Sequence, residues 1–212
     1  MEDDHLAPQK PNLIGTGRLE AFSDGVLAVI ITIMVLELRP PEGADIKALT
    51  SLTSKFLIYV LSFTFIGIYW NNHHHLLRAT RAINGNVMWA NLHLLFWLSL
   101  VPVSTAWTGD HPLAPWPAVI YGLIGFLAGV AYYILTRTIV SANKGTDIEQ
   151  AIGSDFKGKI SIVIYALGML LASFSQAFPF SPILSYLAYA SVSVIWFIPD
   201  RRLAGDRSPT QG

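Results

Sequence analysis

The sequence predicts an all-α integral membrane protein with six transmembrane helices per subunit. Three observations carry that class. Hydrophobic residues fill 52% of the 212 positions and charged residues 13%, with a mean hydropathy of +0.47. Soluble domains carry about 25% charged residues, so this chain has roughly half the charge that a water-facing surface needs. Apolar runs near the ~20 residues required to cross a bilayer recur along the whole chain, and Lys and Arg collect in alternate connections between them.

The same arithmetic excludes an ordinary soluble enzyme and a disordered chain, which needs the opposite balance. The 14 basic and 14 acidic residues cancel, so no global field recruits nucleic acid. With no Cys, a disulfide framework, a thiolate metal site and a cysteine nucleophile are excluded.

The first span reads Leu19 to Leu38 and ends at Arg39-Pro40-Pro41, because a helix rarely continues through consecutive prolines. Its core is too long for a secretory signal and no small-residue cleavage site follows, so it is expected to be retained. The second runs from about Leu52 to Leu77 and the third from about Val87 to Trp107, followed by the turn Gly109-Asp110-His111-Pro112. The fourth covers about Ala114 to Val140 and the fifth about Ile160 to Phe178. After Pro179-Phe180-Ser181-Pro182 comes a short sixth, Ile183 to Ile198. This gives a membrane domain over residues 18–200 between polar tails at 1–17 and 201–212, with Asn143 to Lys159 as the longest polar loop.

Orientation follows from the short-loop Lys and Arg bias. Lys10, Arg18, Arg78, Arg81, Arg137, Lys144, Lys157, Lys159, Arg201, Arg202 and Arg207 fall on one side; only Arg39, Lys47 and Lys55 fall on the other. Both tails are therefore expected in the cytoplasm of a multi-pass cell-membrane protein. Trp107 and Trp116 fit an interfacial belt on the outer side.

Polar groups inside a bilayer are costly and mark functional or structural sites. The first span opens Arg18-Leu19-Glu20-Ala21-Phe22-Ser23-Asp24. At 100° per residue, Asp24 lies about 140° from Val29, on the back of an apolar stripe made by Phe22, Val29 and Leu36 within about 20° of one another. Ile33 and Gly25 flank that stripe at about 40°, and Thr32 lies about 60° off it. An unpaired carboxylate there would cost at least ~2.5 kcal/mol, so Asp24 needs donors. Trp70 and His74 share a face of the second span with Asn71 adjacent, and Asn91 lies on the third. Ser23, Asp24, Trp70, Asn71, His74 and Asn91 are therefore expected to form one buried network that fixes the first helix to its scaffold, with Arg18 at the inner mouth joining it or binding interfacial phosphate. His73-His74-His75 point 100° apart on a helix and cannot chelate one ion, so no metal site is expected. His93, Ser173 and Ser175 read as helix-packing groups, and Gly122, Gly125 and Gly129 as small residues that let helices approach closely.

The opening resembles the Arg-x-x-x-Phe-Ser-Asp signature of the transmembrane-protein-175 family, which contains the endosomal and lysosomal potassium channel. The stretch Gly67-Ile68-Tyr69-Trp70-Asn71-Asn72-His73-His74, and Asn91 followed by Ser99-Leu100-Val101-Pro102, are similar to that family as well. The likeness is specific over residues 18–105 and topological beyond them. It implies a potassium-selective channel that is not an enzyme and uses no cofactor beyond the permeant ion. Prokaryotic members carry one six-helix repeat and assemble as homotetramers in the bilayer. It also implies a first helix that lines the pore, with hydrophobic side chains rather than a re-entrant loop at the narrowest layers. Aligned on the signature, Val29, Ile33 and Leu36 fall at the constriction layers and Thr32 at the threonine layer; Val29 stands where the family commonly has Ile or Leu. The competing reading is a proton-coupled transporter or proton pathway using Asp24 and His74.

Overall fold

The computed structural model describes residues 15–146 and 156–197; the two tail segments and most of the polar loop after Asn143 lie outside the described residues. The chain runs α1 (Thr16–Leu36), α2 (Ile46–Thr50), α3 (Thr53–Ala79), α4 (Gly85–Ser99), α5 (Val101–Asp110), α6 (Pro115–Ala142), α7 (Phe156–Ser173) and α8 (Ser181–Phe197). Among these residues, α1, α3, the continuous run Gly85–Asp110 and α6 are long and apolar enough to cross a membrane, and α8 is a shorter apolar helix.

Two features differ from the sequence expectation. The helix of the third span is interrupted at Leu100, between α4 and α5, where Pro102 at the start of α5 has no N–H to donate. The connection after α1 contains the short α2, whose Asp45 Oδ1 accepts from Ala48 N–H at 2.8 Å as an N-cap.

Helix α6 is the centre of the bundle. Its Ala118, Ala128, Ala131, Leu135 and Ile139 are fully buried, and it packs on α4, α5, α7 and α8. Helix α1 lies at one side against α3, α4 and α5, and the α7–α8 hairpin lies at the other. Lipid tails are as apolar as Leu, so helices in a bilayer associate through close packing and hydrogen bonds rather than through exclusion from water. Glycine supplies the close packing here. The Tyr189 ring fills the space beside Gly122 and Gly168, and a Cβ on Gly125 would stand 2.6 Å from Tyr165 Cε1. Tyr121 and Tyr165 stack on Tyr189 with centroids 5.9 and 5.5 Å apart, and Tyr189 Oη donates to Ala118 O at 3.1 Å.

Buried polar ties complete the assembly. Thr105 donates to Ser62 Oγ at 2.7 Å, and Ser62 shares a 3.0 Å bond with Tyr121 Oη, joining α3, α5 and α6. At the end of α6, Asn143 Oδ1 accepts from the Arg81 and Ala82 backbone N–H groups at 3.1 and 2.8 Å. Its Nδ2 donates to Ala82 O at 3.0 Å and to Ile139 O at 2.9 Å. One side chain thus caps α6 and holds the α3–α4 connection. At the opposite end Lys55 pairs with Asp110 at 2.5 Å, but the carboxylate is half exposed, so the pair contributes little.

The glycine seats give a direct test. Gly125→Ala forces a methyl into the Tyr165 ring and is expected to lower stability by about 1–3 kcal/mol, the range for overpacking. Gly129→Ala has room, since its Cβ would meet only Tyr69 Oη at 3.8 Å, and is expected to change stability by less than about 0.5 kcal/mol. Thermal unfolding of the two purified variants in one detergent measures the difference.

Candidate functional site

Helix α1 divides cleanly into two faces. Leu19, Ser23, Leu27, Ile30 and Met34 are buried against the bundle. Phe22, Val29, Ile33 and Leu36 are left uncovered by the chain, with Val29 55% and Leu36 75% exposed. Gly25 and Thr32 lie on the same uncovered side. The Thr32 hydroxyl donates to Val29 O at 2.9 Å, which leaves its oxygen lone pairs outward. Val35 is also exposed, whereas Ile30 is 3% exposed and belongs to the core.

The polar groups behind that stripe form two separate arrays rather than one. The deep array is a chain across three helices. Ser23 Oγ donates to Leu19 O at 2.8 Å and accepts from Asn91 Nδ2 at 2.9 Å, while Asn91 Oδ1 accepts from His73 Nε2 at 2.7 Å. Ser23 and Asn91 are fully buried and His73 is 1% exposed. The amide oxygen can only accept, so the His73 proton sits on Nε2.

The shallow array is a two-rung ladder between antiparallel α1 and α3. Trp70 Nε1–H donates to Asp24 Oδ1 at 3.0 Å, and His74 Nδ1 pairs with Glu20 Oε1 at 2.7 Å. The register is simple: Glu20 and Asp24 are four residues apart on α1, Trp70 and His74 are four apart on α3, and both pairs share a face of their helix. Trp70 and His74 stack with centroids 6.1 Å apart. Glu20, Asp24 and His74 are partly buried and Trp70 is exposed, so the chain does not seal these rungs as it seals the deep array.

Several sequence expectations need correction. Asn71 points away from both arrays and is exposed, because it sits about 100° around the helix from the Trp70–His74 face. Of the two roles expected for Arg18, joining the network is excluded, since its side chain is exposed and joins neither array. Asp24 is not the buried hub; Asn91 is. His73 and Glu20 were missed. In the sequence His73 stands out only as part of a histidine run, although it lies four residues before Leu77 on the buried face of α3. Glu20 was legible as the acid one turn before Asp24, the spacing that two aromatic donors one turn apart can match.

This division ranks the variants. Asn91→Ala leaves the His73 N–H and the Ser23 oxygen without their buried partner, at about 1–3 kcal/mol for each group left unsatisfied. Asp24→Ala removes one acceptor from an exposed Trp70 and is expected to cost about 1 kcal/mol. Detergent-solubilised thermal stability checks the order; a larger loss for Asp24→Ala would place the hub back at the carboxylate.

Comparison with known proteins places this geometry in a family. Residues 18–102 match the family model described as the endosomal/lysosomal potassium channel TMEM175. A potassium channel of Chryseobacterium sp. (strain P1-3) is 48% identical over 188 residues, which span 88% of this chain and 95% of that protein. The human endosomal/lysosomal proton channel TMEM175 is 35% identical over 113 residues, 46% of this chain and 20% of its own length. The crystal structure of a lysosomal potassium-selective channel TMEM175 homolog from Chamaesiphon minutus shares the fold. Its TM-score is 0.74 at 24% identity, covering 88% of this chain and 97% of that one. The chain belongs to the TMEM175 channel family.

Proposed function

We propose that the protein is a potassium-selective cation channel in which α1 lines a central pore. The observation that carries this reading is the two-faced α1. One face is hydrogen-bonded into the bundle through Ser23, Asp24 and Glu20. The other presents Phe22, Val29, Ile33 and Leu36 with nothing from the same chain over it. A helix held at a fixed rotation, with an apolar stripe outward, is suited to meeting copies of itself around an axis. The Chryseobacterium relative, which this chain matches over nearly its whole length, is named a potassium channel.

In this reading four subunits bring four α1 helices together. Residues 18–200 form the channel domain between cytoplasmic tails at 1–17 and 201–212. Helices α7 and α8, with 18 and 17 residues, rise about 25–27 Å at 1.5 Å per residue. That is close to the ~30 Å hydrocarbon core, so they complete six spans in the cell membrane. Val29, Ile33 and Leu36 form successive apolar layers and Thr32 adds a ring of hydroxyl oxygens. A cation passing the apolar layers sheds part of its hydration, which costs less for potassium than for the smaller, more tightly hydrated sodium. Such constrictions also gate by dewetting. Flow is passive, and no chemical step or resident cofactor is involved.

Asp24 and His74, the residues a proton-coupled transporter would use, are each engaged across the α1–α3 contact, with Trp70 and Glu20. That supports an anchoring role for both.

In planar bilayers with mixed potassium and sodium, Ile33→Asn and Leu36→Ala are expected to raise current and weaken discrimination between the ions. Val35→Asn, on a different azimuth, is expected to do much less. Unchanged selectivity in both stripe variants would remove α1 from the filter. A reversal potential that tracks a pH gradient instead of the potassium gradient would favour proton conduction.

Topology is tested separately. A reporter fused after Gly212 is expected to be active only in the cytoplasm, and extracytoplasmic activity would invert the orientation.

A further inference from the structure

Two polar side chains inside the spans face outward. Asn71 on α3 is exposed, and among the described residues its amide makes no hydrogen bond. His93 on α4 is exposed as well, and its Nε2 accepts from Trp97 Nε1–H at 2.9 Å. The ring proton therefore sits on Nδ1, which has no partner among the described residues. Each residue lies eight positions from the end of its helix at the α3–α4 connection, about 12 Å along the axis. Their spans have 27 and 26 residues, about 40 Å of helix, and overhang a ~30 Å hydrocarbon core by only about 5 Å at each end. A primary amide and an imidazole N–H thus point into the hydrocarbon region, where an unpaired polar group is costly.

The two groups stand at one height. The His73–Asn91 bond at 2.7 Å levels antiparallel α3 and α4. Asn71 and His93 are each two residues beyond that rung in the same direction, about 3 Å along the helix. Two residues also turn the helix by about 200°, so each side chain points away from the rung, Asn71 out of the α3 flank and His93 out of the α4 flank. The match continues along both helices. One turn nearer the connection, exposed His75 is level with exposed Trp89. One turn farther from it, Gly67, whose Cβ position has nothing within 4 Å, is level with exposed Phe96 to within one residue.

Helix α1 packs against both α3 and α4, so a subunit that turns α1 toward an axis has these helices on its sides. Rotation about an axis along the membrane normal preserves height, and groups level within one subunit are level between neighbours. A cyclic ring joins two different patches head to tail, which requires a donor on one flank and an acceptor on the other. Lipid tails cover apolar positions as well as protein does, but they offer nothing to an amide or an N–H.

Resting on the channel reading, we infer that the α3 stripe of Gly67, Asn71 and His75 in one subunit docks on the α4 stripe of Phe96, His93 and Trp89 in the next copy of this chain. His93 Nδ1–H donates to Asn71 Oδ1 across each boundary, and Phe96 covers the open seat at Gly67. The same bond at every boundary holds the α1 helices at equal depth around the axis.

The chain has no Cys, so disulfide trapping has no background. The Asn71→Cys/His93→Cys double variant, oxidised in membranes with copper phenanthroline, is expected to give a ladder up to four subunits on a non-reducing gel. Neither single variant is expected to cross-link, whereas the two single variants co-expressed with different tags are expected to form a mixed dimer. A disulfide needs Cα atoms within about 7 Å, so Asn71→Cys with Val103→Cys, about 15 Å higher, is expected to give no ladder. Subunit number by native mass spectrometry and potassium flux in liposomes are read on the reduced double variant. A conducting tetramer without the 71–93 ladder would overturn the interface and leave the channel reading standing; the absence of any tetramer would overturn both. A dimer formed by either single variant alone, or a ladder as strong with Val103→Cys, would overturn the head-to-tail register. Asn71→Leu and His93→Phe are each expected to lower the tetramer surviving in detergent about threefold per boundary, the value of an average interhelical hydrogen bond. Combined, they are expected to lower it no further than either alone, and additive losses would overturn the bond.

Discussion

The structure depends on what fixes the rotation of α1 about its own axis. In water an amphipathic helix is oriented by burying its apolar side. In a bilayer that cue vanishes, because lipid tails solvate Val29 or Leu36 as well as the bundle does. Ser23 supplies the cue instead. Its hydroxyl meets Asn91, which meets His73 in turn, and turning α1 away from α4 would break the Ser23–Asn91 bond. Interhelical hydrogen bonds in membranes contribute about 0.6 kcal/mol each on average. The array therefore adds little to total stability and a great deal to orientation. Presenting Val29, Ile33 and Leu36 on one side follows from tying Ser23 down on the other.

The two arrays divide the work by depth. The Ser23–Asn91–His73 chain is dry, so every missing partner is costly and the geometry is rigid. The ladder of Asp24 with Trp70 and Glu20 with His74 is only partly covered by the chain. Its carboxylates do not need the desolvation that a fully buried ion requires. Placing the acids on the shallow array and neutral groups on the deep one lets α1 carry two carboxylates, each with a partner on α3.

The other half of the bundle is held by different means. Around α6 the helices meet through tyrosine rings laid over glycines, a contact made of dispersion and shape rather than charge. Tyr189 serves three partners at once: it fills Gly122, fills Gly168 and donates to Ala118 O. Asn143 then locks the end of α6 to the α3–α4 connection with four hydrogen bonds from one side chain. The α1 side is thus oriented by polar bonds and the α7–α8 side by close packing, with α6 as the common wall.

Composition, apolar run lengths and charge distribution by themselves determined a helical membrane protein, and the likeness over residues 18–105 pointed to its family. Those are properties of the chain read linearly, since hydropathy and spacing survive without knowledge of neighbours. The polar residues Ser23, Asp24, Trp70, His74 and Asn91 were legible because a bilayer makes each of them conspicuous. Their pairing was not. Which nitrogen meets which oxygen depends on the vertical register of α1 against α3 and α4, and a shift of one turn would exchange Glu20 for Asp24 opposite Trp70. Only tertiary structure could promote His73 from a histidine run to a buried donor and show the helix of the third span interrupted at Leu100. The same holds for Gly122, Gly125 and Gly129: a spacing of small residues announces close approach, but which ring enters which seat, and which seat stays open, is set by helices far away in sequence.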